Sequence, residues 1–462
     1  MKIFQIQKLK NTVLENGSFS HEEESDFLGQ GYAVRHEDTA VKRWSKSKGW
    51  CRPSCIPISI ILILIFLVVL LPLLDHAIDK NSYKDTADHT ALWKNCSASC
   101  RISLTESIPE GLIYPEGTTP YRTTYQSWMD LISTAQSTIE IASFYWTLRK
   151  GDIYPHPSAQ QGEQVFQALL QAGTERGLDI KIAQNAPTQE QPNLDTEYLV
   201  RRKAAKVRSL NFVQLLGNGV LHTKLWIIDR QHFYLGSANM DWRALTQVKE
   251  MGILVQNCSC LAQDVAKIFD VYWELGKEGA IIPNKWAPEL NTDINIDTPA
   301  PITLMNEKFF TYLSYWPVID DALRKAAIEE KISIRLLISW WSHSKNSESH
   351  FLHSLADISN SYPGVQIDVR RFIVPATPDQ EKIPFARVNH NKYMVTDNTA
   401  YIGTSNWSGD YFNDTAGIGF ILHDPVIDRN QSEQTLRGQL QKVFERDWNS
   451  NYSHPLNTSN EL

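Results

Sequence analysis

The chain of 462 residues carries one short phrase twice, and this repetition constrains its fold more than any other feature. Each copy has a histidine, a lysine two positions later and an aspartate five positions after the lysine. The two sets are His222, Lys224 and Asp229, and His390, Lys392 and Asp397. A turn of small residues that ends in asparagine follows each copy, at 236–239 and 403–406. Such a repeat predicts two similar structural units that bring equivalent side chains to one site.

Helical and strand patterns alternate along both halves of the chain. The first half has helical spacing at 126–136 and 162–176 and strand patterns at 138–146, 178–183, 207–210 and 225–235. The second half has helical spacing at 318–330 and 433–446 and strand patterns at 333–339, 366–374 and 393–402. This alternation predicts an α/β fold with two similar lobes, each a mixed β-sheet flanked by helices, and with the active site between them.

The second half is shorter than the first at its beginning. Its opening helix and strand have to fit within 302–316, where Lys308–Tyr315 can supply the strand but no helical segment precedes it. We therefore expect a second lobe whose N-terminal part is shortened.

An apolar run from Ile56 to Leu74 carries no charged residue and would span about 28 Å as a helix. Basic residues precede the run and acidic residues follow it, so the positive-inside rule places the N-terminus in the cytosol. A buried core helix is the alternative, but soluble helices seldom lack a polar face over this length. The predicted order is a cytosolic tail at 1–55, a transmembrane signal-anchor helix at 56–74, a lumenal stem at 75–120, a first lobe at 121–282, a linker at 283–301, a second lobe at 302–455 and a C-terminal tail at 456–462.

A lumenal location predicts glycosylation and disulfide bonds. The predicted glycosylation sites are Asn95, Asn257, Asn413, Asn430, Asn451 and Asn457. Asn406 also lies in a glycosylation sequon, but it ends the second motif. An even number of cysteines in an oxidising compartment favours two disulfides over a zinc site. The sequence by itself leaves three pairings open for Cys96, Cys100, Cys258 and Cys260.

The formal net charge of −7 gives the chain no overall basic field. A phosphate-containing substrate would therefore have to bind in a local cleft. The charge neither supports nor excludes such a substrate. Because 42% of the residues are hydrophobic, the composition does exclude a disordered protein.

The repeated residues suit the chemistry of a phosphodiester. A neutral imidazole can attack phosphorus and a protonated one can give a proton to the departing oxygen, so His222 and His390 predict a two-step reaction. Each lysine shares a strand face with its histidine and can bind the phosphate oxygens. Asp229 and Asp397 would orient the ring nitrogens, as triad carboxylates do. The predicted phosphate ligands are Ser237, Asn239, Thr404 and Asn406.

We expect neither a cofactor nor a catalytic metal. A divalent metal needs clustered carboxylate or histidine ligands, and the lysine beside each histidine would repel it. His232 and His343 lie outside the repeated pattern and receive no role. Four aromatic residues could stack nucleobases near the cleft, with core packing as the plainer role for most of them. They are Tyr145, Trp146, Trp340 and Trp341.

The two motifs resemble the HKD motif of the phospholipase D superfamily. Further segments resemble the branch of phospholipase D family members 3 and 4, namely 107–112, 143–148, 236–243 and 388–395. The resemblance covers residues 101–455 together with the type II membrane topology. Two departures stand out: Asp397 replaces a glutamate that this branch tends to carry, and 302–316 is shortened.

The resemblance implies a lysosomal 5'-3' exonuclease that acts on single-stranded DNA and RNA. It implies that His222 forms a phosphohistidine and that His390 acts as the general acid and then as the base. It also implies the disulfides Cys96–Cys260 and Cys100–Cys258. The implied location is the lumen of the endoplasmic reticulum, Golgi, endosome and lysosome, with a released soluble form and a homodimer left open.

Two other interpretations stay open at this point. A phosphatidyl transferase or phospholipase on lysosomal lipids would have an apolar groove and a lipid alcohol as acceptor. A catalytically inactive membrane glycoprotein would fit the shortened second lobe, whereas the intact motifs argue against it. The expected partners are a single-stranded nucleic acid, a phospholipid as the alternative, and the membrane through the transmembrane helix.

Overall fold

The computed structural model describes residues 99–456, apart from 117, 119–120, 150, 152, 296–297, 305–306, 314–318, 408–410, 412–414 and 425–434. The predicted cytosolic tail and transmembrane helix lie outside the described residues. Within the described ranges, no helix combines the length and the apolar character needed to span a bilayer. All the described residues belong to one compact unit.

The first half of the described chain is built around an eight-stranded sheet. Its elements are β1 Arg101–Ser107, β2 Arg122–Thr123, α1 Thr124–Thr134, β3 Thr138–Ser143, β4 Trp146–Thr147, α2 Gln160–Thr174, β5 Asp179–Asn185, α3 Leu194–Arg201, β6 Lys206–Leu210, α4 Phe212–Leu216, β7 Leu225–Ile228, β8 His232–Gly236, β9 Met240–Asp241, α5 Arg243–Thr246, β10 Glu250–Gln256 and α6 Ser259–Leu275. The strand order is β2-β1-β10-β8-β7-β3-β5-β6. Strands β3, β5 and β6 run parallel, while β1, β10, β8, β7 and β3 alternate in direction, so this sheet is mixed as predicted.

The second half has two smaller sheets within the described residues. Its elements are β11 Ala300–Leu304, β12 Glu307–Leu313, α7 Ile319–Ile328, β13 Ile334–Ser339, α8 Asn346–Ala356, α9 Ile358–Ser361, β14 Ile367–Phe372, β15 Tyr393–Val395, β16 Thr399–Gly403, β17 Gly419–His423, α10 Leu436–Trp448 and β18 Ser453–Pro455. One sheet has the order β11-β12-β17-β16-β15 and the other has the order β13-β14-β18.

The two halves repeat one order of elements with a gap. The series β12, α7, β13, β14, β15, β16, β17 and α10 follows the order of β1, α2, β5, β6, β7, β8, β10 and α6. Counterparts of α1 and β3 are missing from the described part of the second half. In the first half, β3 joins β7 to β5. In the described part of the second half, β15 and β13 are edges of separate sheets, and no strand joins them there.

The strand predicted at Lys308–Tyr315 is present as β12. Its predicted equivalence to β3, the opening strand of the first half, is wrong. Strand β12 pairs antiparallel with β17, just as β1 pairs with β10. It therefore occupies the position of β1 and not the position of β3.

Two predicted strands, 225–235 and 393–402, are wrong as single strands. Each is a hairpin, formed by β7 with β8 and by β15 with β16. In the first hairpin Asp229 and Arg230 have φ angles of 52° and 50°. Positive φ at both central residues is what a type I′ turn requires. The sequence has no glycine there, so its usual signal is missing.

The largest apolar cluster contains residues from both halves. Leu235 and Ile253 of the first sheet lie in it together with Ile402 and Phe420 of the second half, all at most 2% exposed. Because protein cores are closely packed, sliding one half against the other would open cavities. The shared core thus holds the two motif-bearing hairpins in a fixed relation.

Candidate active site

Main-chain hydrogen bonds that cross between the halves hold the two motif histidines. The amide of His222 donates to the carbonyl oxygen of Ala416 at 2.9 Å, and the amide of His390 donates to that of Lys249 at 2.8 Å. A short parallel bridge accompanies each bond. Each motif is thus anchored to the opposite half of the chain, and the two motifs face one site.

The surroundings of His222 keep its ring neutral. The residue is 3% exposed, and burial is the largest cause that lowers its pKa well below the ordinary value, followed by the charges of Lys224, Lys392 and His390. Its Nδ1 lies 2.8 Å from the carbonyl oxygen of Thr404. Because a carbonyl oxygen only accepts, Nδ1 carries the proton and Nε2 carries a lone pair. This is the nucleophilic form of the ring.

The ring of His390 contacts a carboxylate. Its Nδ1 lies 3.0 Å from both Oε1 and Oε2 of Glu250, which is 1% exposed and begins β10. Burial lowers the pKa of His390, and the charge of Glu250 acts in the opposite direction. Glu250 therefore favours the protonated imidazole, which can donate a proton through Nε2.

Sequence reasoning missed Glu250, although one signal was present. A glutamate stands at the head of the otherwise apolar run Met251–Val255, and a buried charge needs a partner. The identity of that partner, His390, depends on contacts between the halves and could not be read from the strand itself.

The repeat does not supply a second carboxylate. Gly417 stands where Glu250 would be expected, since each lies two residues before the glycine that pairs with the small-residue turn. A Cβ at Gly417 would collide with Oγ of Ser405, so a side chain would not fit without a shift. The histidines consequently have different partners, a carboxylate for His390 and a carbonyl group for His222.

Both motif lysines are buried beside the histidines. Lys224 is 0% and Lys392 5% exposed, and their Nζ atoms donate to the carbonyl oxygens of His222 and His390 at 2.6 and 2.5 Å. Burial lowers the pKa of both lysines, that of Lys392 to about 7, and the charge of Glu250 opposes this. A bound phosphate anion would favour the charged lysines for the same electrostatic reason.

The predicted role of the two motif aspartates is wrong. Asp229 lies in the turn between β7 and β8, where its carboxylate accepts hydrogen bonds of 2.7–2.9 Å from the main-chain amides of 136–138. Burial would raise its pKa, but these bonds outweigh burial and lower it. Asp397 is exposed in the turn between β15 and β16. Each hairpin carries its aspartate away from the imidazoles, which bind Thr404 and Glu250 instead.

Ser237 and Thr404 support the histidines. Both are 0% exposed, and phosphate binding by either hydroxyl stays a prediction. The hydroxyl of Ser237 donates to Glu250, and that of Thr404 accepts from the amide of Ile418 at 2.9 Å. The two residues thus position Glu250 and the carbonyl group that binds His222.

Asn239 is fixed by a chain of hydrogen bonds. Its Nδ2 lies 3.4 Å from Oη of Tyr145, which donates to Oδ2 of Asp241 at 2.9 Å. Asp241 forms an ion pair with Arg243 at 2.6 Å. A primary amide has two N–H groups, so Asn239 can also donate to a phosphate oxygen. Phosphate binding by Asn239 and by the half-buried Asn406 stays a prediction.

The disulfide Cys100–Cys258, which the resemblance implied, is present. It joins the start of β1 to the start of α6. Cys260 is also disulfide-bonded, and its expected partner, Cys96, lies outside the described residues. The bond between Cys100 and Cys258 uses two of the sulfur atoms that the alternative zinc site would need.

Two of the predicted glycosylation sites can be located. Asn257 and Asn451 are exposed, as glycosylation requires. The others, Asn95, Asn413, Asn430 and Asn457, lie outside the described residues. The use of these sites stays a prediction.

Known proteins are similar to this chain over most of its length. Among solved structures, the phosphatidylserine synthase of Haemophilus influenzae is 12% identical, with a TM-score of 0.49 over 72% of this chain and 85% of that chain. A family model described as PLD3/4, PLD-like domain matches residues 118–314 and 291–377. The chain is 43% identical to the 5'-3' exonuclease PLD3 of Xenopus laevis, over 93% of this chain and 95% of that protein. It is also 43% identical to the 5'-3' exonuclease PLD3 of Homo sapiens, over 79% of this chain and 82% of that protein. The chain therefore belongs to the PLD3/4 branch of the phospholipase D superfamily.

Proposed function

We propose that this chain is a metal-independent 5'-3' exonuclease that cleaves single-stranded DNA and RNA through a phosphohistidine intermediate. The observation that carries the proposal is the unequal pairing of two histidines at one site, His222 with a carbonyl group and His390 with Glu250. The names of the curated relatives supply the direction of cleavage. We also propose that the two halves are lobes of a duplicated fold with this site between them.

In the first step, Nε2 of His222 attacks the phosphorus atom, and the bond from phosphorus to the departing oxygen breaks. His390 gives its Nε2 proton to that oxygen, and Glu250 stabilises the imidazolium before the transfer. Lys224 and Lys392 bind the non-bridging oxygens as negative charge develops on them.

In the second step, His390 acts as the base and His222 is the leaving group. The neutral His390 takes a proton from a water molecule, and the water oxygen attacks the phosphorus atom. The bond from phosphorus to Nε2 of His222 breaks, which frees the nucleophile for the next nucleotide. No oxidant or metal is needed for either step.

The site is suited to an acidic compartment. At a pH of about 5, an unperturbed histidine is mostly charged and would be a poor nucleophile. Burial and the neighbouring lysines lower the pKa of His222, so its ring stays neutral in acid. Burial lowers the pKa of His390 as well, but the charge of Glu250 opposes this, so acidity favours a proton on His390 over one on His222. We therefore propose a type II membrane protein whose active site lies in the lysosomal lumen.

The test uses the full chain purified in detergent, with EDTA at acidic pH and single-stranded oligonucleotides whose 5' ends are free or blocked. We expect stepwise shortening from free 5' ends, and no shortening with His222→Ala or His390→Ala. His454→Ala, which removes an exposed histidine, is the matched control and should behave as wild type.

Other outcomes would each remove one part of the proposal. Loss of activity with EDTA would contradict metal independence, and cleavage of blocked ends would contradict the exonuclease. Exchange of lipid head groups without any nuclease activity would favour the phosphatidyl transferase. A folded protein that is inactive on both substrates would favour the inactive glycoprotein.

A further inference from the structure

Three aromatic rings form an exposed group that the proposed mechanism does not use. We call this group the ring platform, and it consists of Trp341, His343 and Phe385. The rings of His343 and Phe385 stack with their centroids 4.8 Å apart and their planes 11° apart. Trp341 supports His343 from the side, at 4.6 Å and 59°. Phe385 is 61% exposed and His343 is also exposed, so the stack presents aromatic surface to solvent.

The other three aromatic residues that the sequence suggested for base stacking already have contacts within the protein. Trp146 is 1% exposed and belongs to the core. The hydroxyl of Tyr145 is bound to Asp241. The ring of Trp340 is covered by the guanidinium of Arg371, whose Cζ lies 3.9 Å from the ring centroid. Of the four, only Trp341 belongs to the ring platform.

The backbone of Phe385 is held in an unfavourable conformation. Its φ of 54° is in the left-handed region, which is rare for a bulky residue. The chain is pinned on both sides, because the carbonyl group of Pro384 accepts from Arg243 and Nε of Arg387 donates to the carbonyl oxygen of Pro375 at 2.9 Å. A strained backbone at an exposed apolar ring does not stabilise the fold. Because the surrounding contacts maintain this strain, it points to a role of the ring in binding.

The ring platform is connected to the active site. Arg243, which holds Pro384, also forms the ion pair with Asp241 that fixes Tyr145 and Asn239. Phe385 precedes His390 by five residues, so their Cα atoms are at most about 18 Å apart. A nucleic acid strand with one phosphate at the histidines can therefore reach the platform with a nucleotide a few positions further along.

We propose that the ring platform is a base-stacking subsite, where one nucleobase of the single-stranded substrate packs on the exposed face of Phe385 and His343. The inference rests on the proposed exonuclease function and names a contact that selects its substrate. Every nucleobase has a π face, so such a subsite accepts DNA and RNA of any sequence. It favours single strands, because a base inside a duplex has both faces covered by the neighbouring base pairs.

The experiment replaces single nucleotides of an oligonucleotide with an abasic residue, one position at a time, and measures KM and kcat with the full chain. We expect one position at which the abasic residue raises KM by about 5- to 140-fold, the range that corresponds to loss of one stacked base. Phe385→Ala should raise KM of the normal oligonucleotide by a similar factor and should abolish the effect of the abasic residue at that position. His343→Ala should do the same to a smaller extent.

Two controls separate this subsite from the proposed function itself. Phe351→Ala removes a phenylalanine of α8 that is 73% exposed, somewhat more than Phe385, and should leave KM unchanged. Bis(p-nitrophenyl) phosphate has no nucleobase, so Phe385→Ala should hydrolyse it at the wild-type rate. If wild type cleaves neither this reporter nor oligonucleotides, the proposed function fails. If wild type cleaves both but the abasic effect is absent or persists in Phe385→Ala, only the stacking subsite is refuted.

Discussion

Replacing Glu250 with glutamine would test the assignment of the two histidines. Glutamine has the shape of glutamate and can still accept a hydrogen bond from Nδ1 of His390, so the geometry at 3.0 Å is kept while the charge is lost. The charge of Glu250 is the main factor that raises the pKa of His390 against burial. Without it, we expect the pKa of His390 to fall further.

The size of the change follows from the kind of hydrogen bond that is lost. A hydrogen bond to a charged group contributes about 1.5–3 kcal/mol and one between neutral groups about 0.5–1.5 kcal/mol. The difference of about 1–1.5 kcal/mol corresponds to roughly one pKa unit. Since His390 must be protonated to act as the acid, activity should be lost at a pH about one unit lower than in wild type.

The assay is the pH dependence of kcat on an oligonucleotide with a free 5' end. The alkaline limb, which reports loss of the His390 proton, should move to lower pH in Glu250→Gln. The acid limb, which reports protonation of His222, should stay in place, because His222 binds Thr404 and not Glu250. Glu348→Gln, an exposed carboxylate of α8, is the control. An alkaline limb that stays in place or moves to higher pH would refute the reasoning.

Three further variants test the supporting structure. Asparagine tolerates the left-handed backbone at position 229 but lacks the charge of aspartate. For Asp229→Asn we therefore expect the free energy of unfolding in urea to fall by about 1–2 kcal/mol with kcat unchanged. A large loss of kcat would restore the catalytic role predicted for Asp229. Lys249→Met removes a fully buried ammonium group 2.8 Å from Asp447 and should lower the free energy of unfolding by about 3–5 kcal/mol. An unchanged free energy of unfolding in the same urea titration would show that this ion pair contributes nothing. Cys100→Ser combined with Cys258→Ser opens a bridge across 158 positions, but the expected Cys96–Cys260 bridge would still close nearly the same loop. The loss of stability should therefore be well below the roughly 5 kcal/mol of an unshared loop of this length, and a fall in Tm as large as that full value would contradict the second bridge.

The motif histidines and lysines could be predicted because their pattern is local. His222 and Lys224 lie just before β7 and not in it, so the expectation of a shared strand face is wrong, but their spacing still brings Nζ of Lys224 to the carbonyl oxygen of His222. Glu250 could not be assigned in this way, since it meets His390 across 140 positions. Comparison of the two repeats would not have helped either, because the equivalent position is Gly417.

The positions of the helices and strands were predicted better than the pairing of the strands. The helix expected at 162–176 is Gln160–Thr174 and the strand expected at 207–210 is Lys206–Leu210, because apolar periodicity marks such segments directly. The role expected for Asp229 failed because a turn without glycine reverses the chain there. The division of the second half into two sheets depends on which strands meet, and no local pattern encodes this.

The described part of the second half has no counterpart of β3, and this leaves the two motifs unequally protected. Strand β7, which follows Lys224, is bordered by β3 and β8, whereas β15, which follows Lys392, pairs within the described residues with β16 alone. Strands at an edge open more readily than strands with two neighbours. In hydrogen–deuterium exchange, the amides of Tyr393–Val395 should therefore exchange before those of Leu225–Ile228. On heating, the segment that follows Lys392 should open before the segment that follows Lys224.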